Sequence, residues 1–170
     1  MILELEKCII RSYQPSDAES LAKYANNRKI WLNLRDGFPY PYTINNAKDF
    51  IDMALNKNPE TYFAICTRSE AIGGIGYSLH TDVERLSAEI GYWLGEPFWG
   101  KGIVTDALIA VTQYAINTHG LYRVYAVPYE TNKASFCVLE KAGYQMEGRM
   151  RKSAIKDKKI VDQLLFAYVI

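Results

Sequence analysis

A chain of 170 residues with 49% apolar side chains suits one domain of ordinary size with a substantial core. Lys and Arg number 20 against 19 Asp and Glu, so no broad field is available to hold nucleic acid or an anionic membrane. A local pocket for a small charged ligand stays open.

In chain order, residues 8–13 read as a short strand. Ser16 and Glu19 make a capping box before a helix at about 16–26, where Ala18, Leu21, Ala22 and Ala25 recur at helical spacing. Residues 27–42 hold Trp31, Phe38, Tyr40 and Tyr42, and Pro39 and Pro41 forbid a regular helix across 39–41. That stretch is expected to be an aromatic loop. Thr43 caps a second helix to about 57. Strands follow at 62–67, 72–80 and 88–94, then a loop at 95–102. A third helix over 103–118 buries Val104, Ala107, Leu108, Val111 and Ala115. A strand at 122–127 precedes a fourth helix at 133–142, with Gly143 as its stop. Two last strands, 146–155 and 160–169, flank a charged turn at 156–159. The expectation is an α/β (α+β) fold: a mixed, mostly antiparallel sheet of about seven strands flanked by about four helices. The segment 88–127 suits a right-handed crossover between parallel strands. No linker or repeat divides the chain, so 1–170 is read as one domain.

Other signals exclude more than they assign. No apolar run approaches the ~20 residues that cross a bilayer. Glu4, Glu6 and Lys7 interrupt any signal-peptide stretch, which makes the cytoplasm the expected location. Cys8, Cys66 and Cys137 are odd in number and widely spaced, and read as reduced thiols. His80 and His119 stand apart from each other and from any cysteine. Neither a metal site nor a Ser-His-Asp triad is expected.

The informative stretch is Trp99-Gly100-Lys101-Gly102-Ile103-Val104-Thr105, between a strand and the start of a helix. Two glycines let the backbone approach a ligand closely, and the first N–H groups of the helix favour an anion. Gly95 to Lys101 matches the spacing of a mononucleotide P-loop, but Gly102 replaces the Ser or Thr that would hold magnesium. A dinucleotide fingerprint fails at Thr105, where its third glycine belongs. A turn for the pyrophosphate of CoA fits, and so does a tight turn that binds nothing.

The surroundings weigh on that choice. Residues 88–94 (Ala-Glu-Ile-Gly-Tyr-Trp-Leu) followed by 98–107 (Phe-Trp-Gly-Lys-Gly-Ile-Val-Thr-Asp-Ala) resemble the acetyl-CoA motif of the GNAT superfamily. The likeness is to the branch of RimJ/RimL-type ribosomal-protein N-terminal acetyltransferases. Asn132-Lys133-Ala134-Ser135 and residues 139–144 resemble that branch's second motif. The closing hairpin with Asp162 and the opening order of elements are also similar, so the resemblance spans nearly the whole chain. It implies an N-acetyltransferase that moves acetyl from acetyl-CoA to a primary amine by direct attack, without a metal. Trp99, Gly100, Lys101, Gly102, Ile103, Val104 and Thr105 would form the pyrophosphate turn. Trp93 and Leu94 would bond the pantetheine and acetyl group through their main chain, on a strand that splays at a bulge. Asn132 would bond the pantetheine arm and Ser135 would lie near the sulfur. Val104 departs from the superfamily's usual Gly or Ala, and Trp99 from its Arg or Gln.

Acetyl transfer needs an unprotonated amine, donors for the oxyanion and a proton for the departing thiolate. Ser135 is the candidate donor to sulfur, although a serine one turn into a helix also suits capping. Glu89 is the candidate base, and an ion pair would explain it equally. Tyr92 and Tyr144 are reserve donors. Lys133, Lys141 and Arg149 are candidates for the 3′-phosphate of CoA. Trp31, Phe38, Tyr40 and Tyr42 are expected to line the acceptor groove. The acceptor is expected to be a protein N-terminus or a small molecule (polyamine, amino sugar or antibiotic), and the enzyme a monomer or homodimer. A CoA-binding sensor without catalysis is the competing function.

Overall fold

The computed structural model describes residues 2–170. Its elements are β1 (Ile2–Glu4), β2 (Ile9–Ser12), α1 (Ala18–Ala25), α2 (Arg28–Trp31), α3 (Ile44–Leu55), β3 (Tyr62–Cys66) and β4 (Ala71–Leu79). They continue with β5 (Ser87–Leu94), α4 (Ile103–His119), β6 (Arg123–Ala126), α5 (Lys133–Lys141), β7 (Gln145–Lys156) and β8 (Lys159–Val169). One eight-stranded sheet runs β1-β2-β3-β4-β5-β6-β8-β7. Every neighbouring pair is antiparallel except β5 and β6, which α4 joins as a parallel pair.

The expected elements are present, with additions at the small end of the scale. β1 raises the strand number above the expected seven. Three residues held to β2 by backbone pairing leave no periodicity to read. α2 lies inside the stretch read as a loop; Asn27 caps it by accepting the Lys29 N–H at 2.8 Å. The start of α1 is also built differently from the Ser16–Glu19 box. The Asp17 carboxylate accepts the Gln14 N–H at 2.8 Å and takes both Arg11 nitrogens at 2.7 and 2.8 Å. Thr43 does cap α3, trading hydrogen bonds with Asn46.

Two cores sit on the two faces of the sheet. On one, α4 and α5 cover Ile10, Phe63, Ile75 and Ile90. On the other, α1 and α3 cover Tyr13, Ala64 and Ala71. Central strands covered on both faces lose the polar alternation of a half-exposed strand, as the run Ala71–Tyr77 does. Tyr144, a reserve donor by sequence, belongs to the first core: its side chain is 2% exposed and its hydroxyl meets that of buried Thr112 at 2.6 Å. Thr112→Val strands the Tyr144 hydroxyl and is expected to cost about 1–3 kcal/mol, a fall of roughly 3–8 °C in melting temperature. Adding Tyr144→Phe removes both partners and should recover most of that loss in the same melting experiment.

The β7–β8 hairpin turns through Asp157 and Lys158, both at positive φ, and its tip reaches back to α2. Lys156 is buried with its ammonium 3.8 Å from the Trp31 ring centroid and 2.8 Å from Asp36. Arg28 pairs with Asp157 at 2.7 Å. The hairpin thus braces the segment that forms one wall of the cleft described next.

Candidate active site

β5 runs beside β4 in one register, from Leu79↔Ala88 to Gly73↔Leu94, with no shift along the ladder. Its parallel pairing with β6 covers only Ser87 to Glu89. After Ala126 the chain stays bonded to β8, where the Leu164 N–H donates to the Pro128 carbonyl at 2.9 Å. β5 is left without a partner past Glu89, and a cleft of about 510 Å³ opens between the strands. The splay therefore comes from β6 leaving with β8, not from the expected bulge in β5.

The register decides which backbone groups face the gap. The His80 N–H donates to the Ser87 carbonyl at 3.1 Å, and the Gly95 N–H to the Ile72 carbonyl at 2.8 Å. With the ladder unbroken between them, the odd-numbered residues of β5 direct N–H and C=O to β4. Tyr92 and Leu94 direct theirs to the opened side. The Leu94 carbonyl there accepts the Trp99 indole N–H at 2.7 Å. The Trp93 main chain faces Gly74, so Tyr92 takes the position expected of Trp93, while Leu94 keeps its own.

Side chains alternate in the same way. Tyr92 lies on the α4–α5 face, where its hydroxyl meets Ser135 Oγ at 2.7 Å. Burial pushes the Tyr92 phenol up to about 12, against the opposing pull of the Ser135 hydrogen bond, so it stays protonated at neutral pH. Asn132 caps α5 by accepting the Ser135 N–H at 3.3 Å. The Ser135 hydroxyl is therefore spent on Tyr92 rather than on the cap. Glu89 lies on the other face, in an ion pair with Arg35 from the segment after α2. Both Glu89 and Arg35 line the cleft.

At the α4 end, Gly100 and Gly102 have φ of 75° and 76°, which strains any other residue. Gly102 is the N-cap of α4 and offers no side chain to it. The first helical bond runs from the Asp106 N–H to the Gly102 carbonyl at 3.1 Å, so the N–H groups of Ile103, Val104 and Thr105 have no partner within the helix. These three residues, with Trp99, Gly100 and Gly102, line the cleft. Lys7 pairs with Asp106 at 3.1 Å beside Gly102.

Several sequence candidates lie elsewhere. Lys101 is not on the cleft lining and stands 5.5 Å from the Phe98 ring. Lys133 stands 5.0 Å from the Phe136 ring, and Arg149 is committed to Glu130 and Asp162; Lys141 does line the cleft. None of Trp31, Phe38, Tyr40 and Tyr42 lines it. Phe38 packs between Tyr42 and Trp93, at 4.8 and 5.6 Å, and Trp31 packs on Tyr40 at 5.9 Å. They pack behind the cleft as two separate ring contacts, and their neighbours Ile30, Asn33, Leu34 and Arg35 make the wall. Arg35, Tyr129 and Gln163 are cleft residues that the sequence did not single out. Tyr92, a reserve donor by sequence, is the one that reaches Ser135, since alternation with Ala88, Ile90 and Leu94 sets it on that face.

The family model described as the acetyltransferase (GNAT) domain matches residues 7–145. The chain belongs to the GNAT acetyltransferases. It is 38% identical over 152 residues to the Bacillus subtilis protein named "Probable N-acetyltransferase YjcK", covering 85% of this chain and 83% of that one. It is 27% identical over 172 residues to the Escherichia coli [ribosomal protein uS5]-alanine N-acetyltransferase, covering 97% and 89%. Its fold matches that of RimL, a ribosomal L7/L12 α-N-protein acetyltransferase solved with coenzyme A, with a TM-score of 0.88 at 20% identity over 100% and 98% of the two chains. This GNAT protein is an acetyl-CoA-dependent N-acetyltransferase of the RimJ/RimL-like branch, and its acceptor is an amine. Among the described residues no group of His, Cys, Asp and Glu could hold a metal, and no helix is long and apolar enough to cross a membrane.

Proposed function

We propose that this enzyme acetylates the N-terminal α-amine of a protein or peptide, with thioester and amine entering the cleft from opposite faces of the sheet. One observation carries the reading: at the opened edge of β5, Glu89 and the Tyr92–Ser135 pair lie on opposite sides of the same backbone gap. Acetyl-CoA enters between α4 and α5, with its pyrophosphate at the N–H groups of Ile103 to Thr105 and Asn132 and Lys141 near the pantetheine and 3′-phosphate. The amine enters beside Arg35 and gives a proton to Glu89, directly or through water. Its nitrogen attacks the thioester carbon, and the oxyanion meets one of the two N–H groups that Tyr92 and Leu94 turn to the gap. The C–S bond then breaks and the thiolate takes a proton from the Tyr92–Ser135 pair. Two hydroxyls at hydrogen-bond distance hold one proton between them and keep one to give.

An α-amine, with a pKa near ~7.7–8.0, is partly unprotonated at neutral pH, whereas a lysine amine near ~10.4 needs stronger deprotonation. Glu89 already engaged by Arg35 suits the easier task, and no histidine lines the cleft. The names of the E. coli relative and of RimL support a protein N-terminus as acceptor. At pH 7.5 a peptide with a free N-terminus is expected to be acetylated at least about tenfold faster than the same lysine-containing peptide with its N-terminus blocked, or than spermidine. Competition scored by mass spectrometry tests this, and preference for either rival overturns it. The pH dependence follows from the same groups. With Tyr92 protonated to about 12, the rate should rise with the unprotonated α-amine through pH 7–8.5 and keep its plateau to pH 10.

A further inference from the structure

We infer that the preferred acceptor carries a carboxylate next to its reacting α-amine, as the side chain of an acidic second residue, and that Arg35 is the group that reads it. The inference rests on the N-terminal reading above. Charged residues lining the cleft are Lys29, Arg35, Glu89 and Lys141. Lys29 is taken by Glu96, and Lys141 lies at the mouth used by acetyl-CoA. The acceptor mouth is left with one anion and one cation, Glu89 and Arg35, bound to each other across the gap.

An incoming ammonium that pairs with Glu89 displaces the guanidinium. Arg35 then needs a new anion; Glu89 is the one carboxylate on the cleft lining and the adjoining Asp36 is held by Lys156, so the acceptor is placed to bring one. A neutral acceptor leaves Arg35 to water; a basic acceptor adds repulsion. A carboxylate restores both pairs, and guanidinium binds it through two parallel hydrogen bonds. The reach is suitable. Arg35 has a long side chain that is 72% exposed, free to swing, on the segment braced by the hairpin tip. Successive Cα atoms lie about 3.8 Å apart, so a second-residue carboxylate arrives within a few ångströms of the amine. Tyr129 lines the same cleft, and the Arg35 charge opposes the rise that burial gives its phenol. Arg35 in this role orients the acceptor and reads its second residue; the proton still goes to Glu89.

The test compares peptides that differ only in the second residue, Asp, Asn or Lys, behind a common N-terminal alanine. The expected kcat/KM order is Asp above Asn above Lys, with about tenfold between Asp and Asn, a size suited to a charge-assisted contact open to water. Arg35→Gln should bring the Asp-to-Asn ratio to about one, and Arg35→Glu should make the Lys peptide the fastest. The stabilisation by acetyl-CoA should be the same in all three proteins, since Arg35 faces the other mouth. Equal rates for the Asp and Asn peptides, or a preference that survives Arg35→Gln, would overturn the inference while leaving N-terminal acetylation intact. Faster acetylation of free alanine than of the Asp peptide would also overturn it, because the carboxylate would then be that of the amino acid itself. Failure of the N-terminal reading looks different: no free N-terminus reacts, whereas spermidine or a lysine side chain does.

Discussion

Gly102→Val is expected to abolish the stabilisation of the fold by acetyl-CoA. A ligand at a hundred times its Kd adds about 2.7 kcal/mol, which for a chain of this size raises the melting temperature by roughly 5–10 °C. The proposed pyrophosphate site is a helix end whose N–H groups are aimed by two glycines at positive φ. Valine at φ 76° costs on the order of 1–3 kcal/mol if the turn holds, and otherwise the turn relaxes and re-aims the N–H groups. A Cβ there also presses on Lys7, whose Nζ would stand 3.0 Å away, but that flexible end can move. Strain at the turn, not a clash, therefore dominates. Losing two charge-assisted contacts weakens acetyl-CoA by about a hundredfold or more. Gly148→Ala serves as the control, because Gly148 has open space around its Cβ position and no positive φ. Thermal melting with and without acetyl-CoA gives the result. A full ligand shift in Gly102→Val would move the phosphate site away from the start of α4.

Tyr92→Phe is expected to lower kcat by about a hundredfold, within the usual range for a positioned proton donor, and Ser135→Ala by about tenfold. The difference has a physical origin. Serine alone is a poor acid, and its position is fixed by the Tyr92 hydroxyl at 2.7 Å. Neither change should much alter acetyl-CoA affinity, since the proposed phosphate contacts lie at α4. The helix cap also survives Ser135→Ala, because Asn132 supplies it. The double variant should be about as slow as Tyr92→Phe alone, since the pair delivers a single proton. Single-turnover kinetics on the four proteins measures this cycle. Strict multiplication of the two effects would mean that the hydroxyls act separately. A drop in melting temperature with kcat intact would leave the pair a purely structural role.

The sequence by itself determined those features that repeat locally or that need particular residues at particular bonds. Helical spacing gave α1, α3, α4 and α5, and the apolar runs gave the strands from β2 onward. Two glycines between a strand and a helix marked the turn proposed to hold phosphate, where their left-handed backbone is required. Glu89 stood out as a carboxylate interrupting an apolar strand and Ser135 by its place in the Asn132-x-x-Ser135 motif, and the paired motifs pointed to the family that the match over residues 7–145 establishes.

What those groups face follows from long-range packing and strand register. The ion pair of Arg35 with Glu89 joins residues far apart in the chain, and no periodicity connects them. Whether Trp93 or Tyr92 offers its N–H to the cleft depends on the β4–β5 register, since a shift by one residue exchanges the two sides of a strand. Composition marks the segment 27–42 as aromatic, but packing turns Phe38 onto Tyr42 and Trp93 and Trp31 onto Tyr40, and leaves Ile30, Asn33, Leu34 and Arg35 on the cleft. Tyr42 is buried and Phe38 packs between it and Trp93, because burying large rings removes much apolar surface from water, whereas the charged Arg35 stays at the surface where the cleft opens.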